Sequence, residues 1–213
     1  EQLARVLKCH PALSGRILKY ANTSGSCAGR PAASVTEAAI RIGVYRGSQI
    51  ALGFSLLSSY RNSPCRKFDY EDFWSQSLAT AVSAQMLSSA IKSANADEAF
   101  SFGLLCQIGR LALATIHPDR YAEVLAAPGA SQEEQLCRLE REEFALDHND
   151  LTAAMLEDWG LPAVFVEAAR CQEDPAGSGL DPVSRDSRLA MLLHVARHMS
   201  AVCRAEEKMH PAL

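Results

Sequence analysis

The chain has 213 residues, of which 48% are hydrophobic, 7% aromatic and 22% charged, a composition that fits one globular domain or two small, closely packed ones and excludes a disordered segment. A chain of this size buries roughly 70% of its unfolded surface, so its core needs neither disulfide nor metal. The net charge of -4 conceals an asymmetry: residues 1–67 carry ten Lys and Arg against Glu1 and Glu37, whereas residues 68–213 carry eleven against twenty-three acids. On composition alone the basic part suits nucleic acid, an anionic surface or an internal docking contact.

The periodicity is helical throughout, with no run of alternating β-branched residues, so the expected fold class is all-α. Pro11 opens a first helix that ends at Asn22 to Gly25. Ser34-Val-Thr-Glu37 reads as a capping box for a short helix stopping at Gly43, and a third helix is expected from Tyr45 to Tyr60. Arg61 to Lys67, with Asn62, Ser63 and Pro64, reads as a linker. Beyond it, Asp69 or Tyr70 opens a long helix to Ala94. A single helix is expected from Asp97 to Ile116, then a short one from Asp119 to Ala126. Ser131-Gln-Glu-Glu134 reads as a second capping box, opening an acidic helix to Phe144. Asp147 caps Asn149 to Trp159, Gly160 ends that helix, and Pro162 restarts the chain toward Cys171. After a Gly- and Pro-rich loop, a last helix runs from Arg185 to Lys208.

The seven cysteines (Cys9, Cys27, Cys65, Cys106, Cys137, Cys171 and Cys203) are odd in number, scattered and without a CxxC pair. They write neither a disulfide framework nor a zinc ribbon, and they suit a reducing cytoplasm. No signal segment opens the chain, which reads as a piece of a longer protein. The longest uncharged run, Phe73 to Ile91, carries Ser75, Gln76, Ser77, Thr80 and further hydroxyl and amide residues that would not partition into lipid. No phosphate-cradling glycine loop and no GxSxG elbow is present. The segment 34–50, SVTEAAIRIGVYRGSQI, has the Ala39, Gly43 and Val44 of a helix-turn-helix corner, but the apolar residue of its second helix falls at Ile50 where the spacing wants Gln49. It reads as a helical hairpin, and nucleic acid as a lesser explanation.

Five further segments carry the functional reading: FWSQSLATA (73–81), EAFSFGLLCQIGRLAL (98–113), DHNDLTAAMLEDWGLP (147–162), VEAARCQEDP (166–175) and LLHVARHMSA (192–201). In this order, and with HPALSGRILKYANTSG (10–25) and 34–56 before them, they resemble the HDOD family, the HD-related output domains of bacterial signalling proteins. The resemblance implies an N-terminal helical lobe over 1–66 packed on an HD-like lobe over 67–213. The HD phosphohydrolases hold one or two metal ions with His and Asp side chains, and that set is degenerate here. The first His falls at or beside Gln76, the His-Asp pair at Cys106 and Gln107, the later His pair at Cys171 and Gln172, and the late Asp at Arg197. Only His148 keeps a ligand-type side chain.

Gln offers a hard metal only a neutral carbonyl, and Arg197 places a fixed positive charge where a dication would sit. The resemblance therefore implies a non-catalytic regulatory module with no metal or cofactor, joined to or contacting receiver, diguanylate-cyclase-like or similar domains. Its rivals are a phosphohydrolase with a rearranged metal site and a sensor of a small anion or nucleotide. A zinc set of Cys106, Cys171 and His148 is the sharper alternative for the old pocket, against small side chains simply filling it. Arg110, alone in an apolar helix, is expected to form a structural ion pair near that pocket. His194 and His198 have a metal-capable i,i+4 spacing but no third ligand in view, and read as solvated or capped. Trp74, Trp159, Phe73, Phe100, Phe102 and Phe165 read as core. The charge asymmetry then most simply describes two lobes of complementary charge.

Overall fold

The computed structural model describes residues 11–23, 30–42, 65–91 and 95–209. Every regular element among them is a helix: α1 (Pro11–Thr23), α2 (Val35–Ile42), α3 (Tyr70–Ile91), α4 (Ala96–Leu105), α5 (Ile108–Ile116), α6 (Pro118–Ala126), α7 (Glu133–Phe144), α8 (His148–Asp158), α9 (Ala163–Arg170) and α10 (Arg185–Met209). The helix expected over 45–60, the corner at Gly43 to Ile50, and residues 61–64 of the linker lie outside the described residues.

One core joins the early helices to the late ones. Ile17, Leu18 and Ala21 of α1 and Val35 and Ala38 of α2 pack with Phe102, Leu105, Leu156, Trp159, Phe165, Leu189 and Leu193. A second cluster gathers Phe68, Phe73, Leu113, Tyr121 and Leu136 around the α5 to α7 end. Lys19 pairs with Asp158 and Arg30 with Glu98 across the two parts of the chain. Among the described residues, the acids of α7 take Arg120, Arg138, His148 and Arg197, all from the second part.

Three local expectations are corrected. The segment 96–116 is apolar enough over its length to pass for a membrane span, and 72% of its most apolar window is buried inside the fold. It is not one helix but two, broken at Cys106 and Gln107, where the Arg110 amide turns back to the Gln107 carbonyl at 3.1 Å. The Cys106 carbonyl, released from the helical ladder, instead accepts Gln172 Nε2 at 2.8 Å. The second capping box also fails: α7 begins at Glu133 with Gln132 as an N-cap that makes no side-chain bond. The tight turn before it already satisfies the entry, with the Gln132 amide on the Gly129 carbonyl at 2.9 Å. Asn95 rather than Asp97 caps α4, taking the amides of Asp97 and Glu98. Ser34 caps α2 with its Oγ on the Glu37 amide, while the Glu37 carboxylate pairs with Arg41, and at α8 the Asp147 cap exchanges bonds with Asp150 as a full capping box.

The crossing of α5 over α8 depends on Gly109. A Cβ there would lie 2.1 Å from the His148 carbonyl oxygen, and the Gly109 amide donates to Thr152 Oγ1 at 3.0 Å while that hydroxyl donates to the His148 carbonyl at 2.7 Å. The absent side chain thus fixes where His148 enters the protein. Gly109→Ala is expected to cost roughly 1–3 kcal/mol by overpacking, read as a lowered denaturant midpoint. An unchanged midpoint would show that the two helices are not in this register.

Candidate functional site

The site is built from the inner face of the acidic helix. In α7, Glu133, Leu136, Cys137 and Glu140 fall at i, i+3, i+4 and i+7, one stripe of a helix, so two carboxylates ride on the apolar side. Glu140 is fully buried, as is His148 at the start of α8. Asp147 positions that start: its Oδ1 accepts the Asn149 and Asp150 amides at 2.8 and 2.9 Å, and its Oδ2 meets Arg141.

His148 is clamped from both sides. Its Nδ1 lies 2.6 Å from Glu140 Oε2, and its Nε2 lies at an ion-pair distance of 3.1 Å from Glu133 Oε1. Glu140 Oε2 also accepts the His148 amide at 2.9 Å, and its Oε1 accepts the Tyr121 hydroxyl at 2.8 Å. Burial disfavours the imidazolium, but the bonds to Glu133 and then Glu140 outweigh it and raise the His148 pKa to about 9. Both carboxylates are likewise resisted by burial and then held well below the ordinary range by the imidazolium, with Arg110 and Arg197 helping at Glu133 and Tyr121 at Glu140. The ring is therefore a buried cation at neutral pH.

Arg197, from α10, completes the centre. Its Nη2 lies 2.9 Å from Glu133 Oε1 and its Nη1 meets Glu173, so one guanidinium bridges two carboxylates. Gln107 Nε2 donates to Glu133 Oε1 at 3.3 Å, and Arg110 Nη1 donates to Gln107 Oε1 at 3.2 Å. Gln172, fully buried, directs Nε2 at the Cys106 carbonyl and at Asn149 Oδ1, both 2.8 Å. Above this network opens a cleft of about 780 Å³ whose lining includes Gln76, Glu133, Cys171, Glu173, His194 and Arg197. The eight residues picked out in the sequence thus gather at one centre: six in the network or against it, with Gln76 and Cys171 on the cleft wall.

Two expectations change. Arg110 has no carboxylate within ion-pair distance among the described residues; it bonds Gln107 and lies against Tyr121, while Glu133 and Glu140 act on it from farther away. The zinc set Cys106, Cys171 and His148 does not converge. The triads whose ligand atoms come within 4.8 Å of one another are Cys137, Glu140 and His148, and Glu133, His148 and Glu173. Neither suits the dication of the HD phosphohydrolases. Both imidazole nitrogens face carboxylates, Arg197 holds both acids of the second triad, and burial followed by the nearby Asp147 pushes the Cys137 thiol up and keeps it neutral. The acids Glu133, Glu140 and Glu173 and the hydroxyl of Tyr121 belong to the same network, and motif reasoning missed them. The helical stripe through Glu133 and Glu140 was the available signal.

The clamp sets a pH dependence. His148 has a folded pKa of about 9 against an ordinary 6.5, so its contribution is fully present below about 6.5 and is lost as pH rises through about 9. The depressed carboxylates add stability above their ordinary range that is lost on acidification. Cys106, pushed up to about 12 mainly by burial, stays silent across the alkaline limb. His148→Gln is expected to lose about 3–5 kcal/mol at neutral pH, because two buried carboxylates lose their cation, and to flatten the alkaline limb in urea titrations. A wild-type stability that is level through about pH 10 would contradict the clamp.

Residues 1–175 match the HDOD domain family. A search of curated proteins finds no match. Among solved structures, the MmoQ response regulator from Methylococcus capsulatus str. Bath is 39% identical and superposes with a TM-score of 0.86 over 97% of this chain and 79% of its own. An HDOD domain protein of unknown function from Geobacter sulfurreducens, 17% identical, gives 0.57 over 95% and 66%. A virulence factor from Campylobacter jejuni subsp. jejuni, 16% identical, gives 0.62 over 99% and 81%. These last two show the shared fold alone. The likeness to a response regulator supports a role in signalling. The family match over most of the sequence and this helical architecture lead to one conclusion: the chain belongs to the HDOD domain family.

Proposed function

We propose that this chain is a non-catalytic regulatory module of a bacterial signal-transduction protein, working in the cytoplasm through contacts with an attached or separate signalling domain of the receiver or diguanylate-cyclase-like kind. The observation that carries the reading is the Arg197 guanidinium bridging Glu133 and Glu173. A metal-activated hydrolase needs a cation with open coordination positions there. A guanidinium supplies charge and five donors but no such position.

A contact role draws support from the outer faces of two neighbouring helices. Val82 and Met86 on α3 and Met191, Val195 and Val202 on α10 are exposed large apolar side chains. Beside them, Leu87, Ile91, Pro175, Leu180 and Met191 line an apolar groove of about 480 Å³. Contiguous exposed apolar surface of this kind marks interaction sites. The cleft itself offers an anion little, because Arg141, Arg170 and Arg197 are each already paired with carboxylates.

The test is hydrolysis of a generic phosphodiester by protein purified without chelator, assayed with added Mn2+ or Mg2+. The expected rate is indistinguishable from buffer with metal. Activity that co-purifies with the chain, disappears with chelator and is lost in Glu133→Gln would replace this reading with a rearranged metal site.

A further inference from the structure

Two histidines of α10 take no part in the ion pairs just described. His194 and His198 are one helical turn apart, with ring centroids 4.4 Å apart and planes inclined at 41°. Both line the open cleft, His194 half-buried and His198 exposed.

Their hydrogen bonds fix which nitrogen is available. His194 Nδ1 lies 3.0 Å from the Gln172 backbone carbonyl, and His198 Nδ1 lies 2.8 Å from the His194 backbone carbonyl. A carbonyl only accepts, so each Nδ1 must carry the proton. In the neutral ring the lone pair then belongs to Nε2. Metal-binding histidines are held in this way, with the second nitrogen donating to a carbonyl or carboxylate that fixes tautomer and ring orientation. Two imidazoles bound to one ion through nitrogens about 2.0–2.1 Å away hold their ring centres about 5 Å apart, close to the spacing seen here.

The surrounding charge selects the sign of the ligand. The acids lining the cleft are Glu133, Glu134, Asp147, Glu173 and Asp174, and the permanent cations are Arg141, Arg170 and Arg197. The wall is thus negative by two charges, which favours a cation over an anion. Imidazole donors prefer late first-row metals, while Mg2+ and Ca2+ require oxygen.

We propose that His194 and His198 form a two-imidazole site at the cleft wall for a late first-row divalent cation of the Zn2+ or Ni2+ kind, with water completing the coordination. The site is separate from the Glu133, His148 and Arg197 centre and requires no hydrolysis. It also stands independently of the regulatory reading, since binding here and activity there are measured separately.

The experiment uses the untagged chain, stripped with chelator and dialysed, titrated with NiCl2 at neutral pH by calorimetry. His10 and His210 are replaced by Gln and Cys203 by Ser in the parent protein, so that the chain ends and the exposed thiol do not compete. One equivalent of Ni2+ is expected to bind. His198→Gln should weaken binding at least tenfold, His194→Gln should do the same, and a large excess of Mg2+ should not displace the ion. Far-ultraviolet circular dichroism checks that each variant keeps its helices; His198, being exposed, is the decisive one. Failure of the parent to bind, or binding by His198→Gln that is weakened less than tenfold, would overturn the site.

Discussion

The imidazolium of His148, held between Glu140 and Glu133, is the constraint around which the second half of the molecule is arranged. A fully buried charge is tolerable only when paired, and the network around this one draws on three helices besides α8. Glu133 and Glu140 come from the inner stripe of α7, the Tyr121 hydroxyl from α6, and Arg197 from α10. Gly109 allows α5 to lie directly on the His148 carbonyl. Displacing any of these helices would leave an ion in apolar surroundings, so the network acts as a register as well as a source of stability.

The backbone around the centre shows the same dependence. The break between α4 and α5 places the Cys106 carbonyl where Gln172 can bond it, and Gln172 returns its own carbonyl to His194 on α10. Ala145 closes α7 in the left-handed region at φ 63°, a conformation that costs a residue with a Cβ roughly 1–2 kcal/mol. It turns the chain sharply enough for Asp147 to cap α8 and for His148 to face the helix it has just left. Strain of this kind persists when its surroundings over-determine it, and here the clamp on His148 does so.

Much of this was legible in the sequence, for identifiable reasons. Pro11, Ser34, Asp147 and Gly160 act through local backbone chemistry, so the helices they bound were found close to where they lie. The break at Cys106 and Gln107 was not, because it depends on Gln172, sixty-six residues away. Ser131 carried a capping pattern that a preceding turn made unnecessary. For the site, a degenerate ligand set can be read by what is missing, and that placed Gln76, Cys106, Gln107, His148, Gln172 and Arg197 around one centre. What replaced the set was harder to see. Glu133 and Glu140 sit among the charges of a helix that looks solvated, and only their position in the same stripe as Leu136 and Cys137 marks them as inward. Arg110 looked like half of an ion pair, but Gln107 and Tyr121 stand between it and the carboxylates.

The charge asymmetry can be restated in the same terms. The acids of residues 68–213 outnumber the bases, yet at the centre the signs balance: His148, Arg110 and Arg197 face Glu133, Glu140 and Glu173. Covalently attached cations occupy the region where a diffusible dication would otherwise be needed to hold carboxylates together. Neutralising and orienting acids is the electrostatic part of what a bound metal does, and here the attached cations do it for Glu133, Glu140 and Glu173. Arg197 ties α10 to both α7 and the Glu173 loop, so any movement of α10 must lengthen an ion pair or carry those elements with it. That mechanical linkage is what the arrangement of charges is suited to provide.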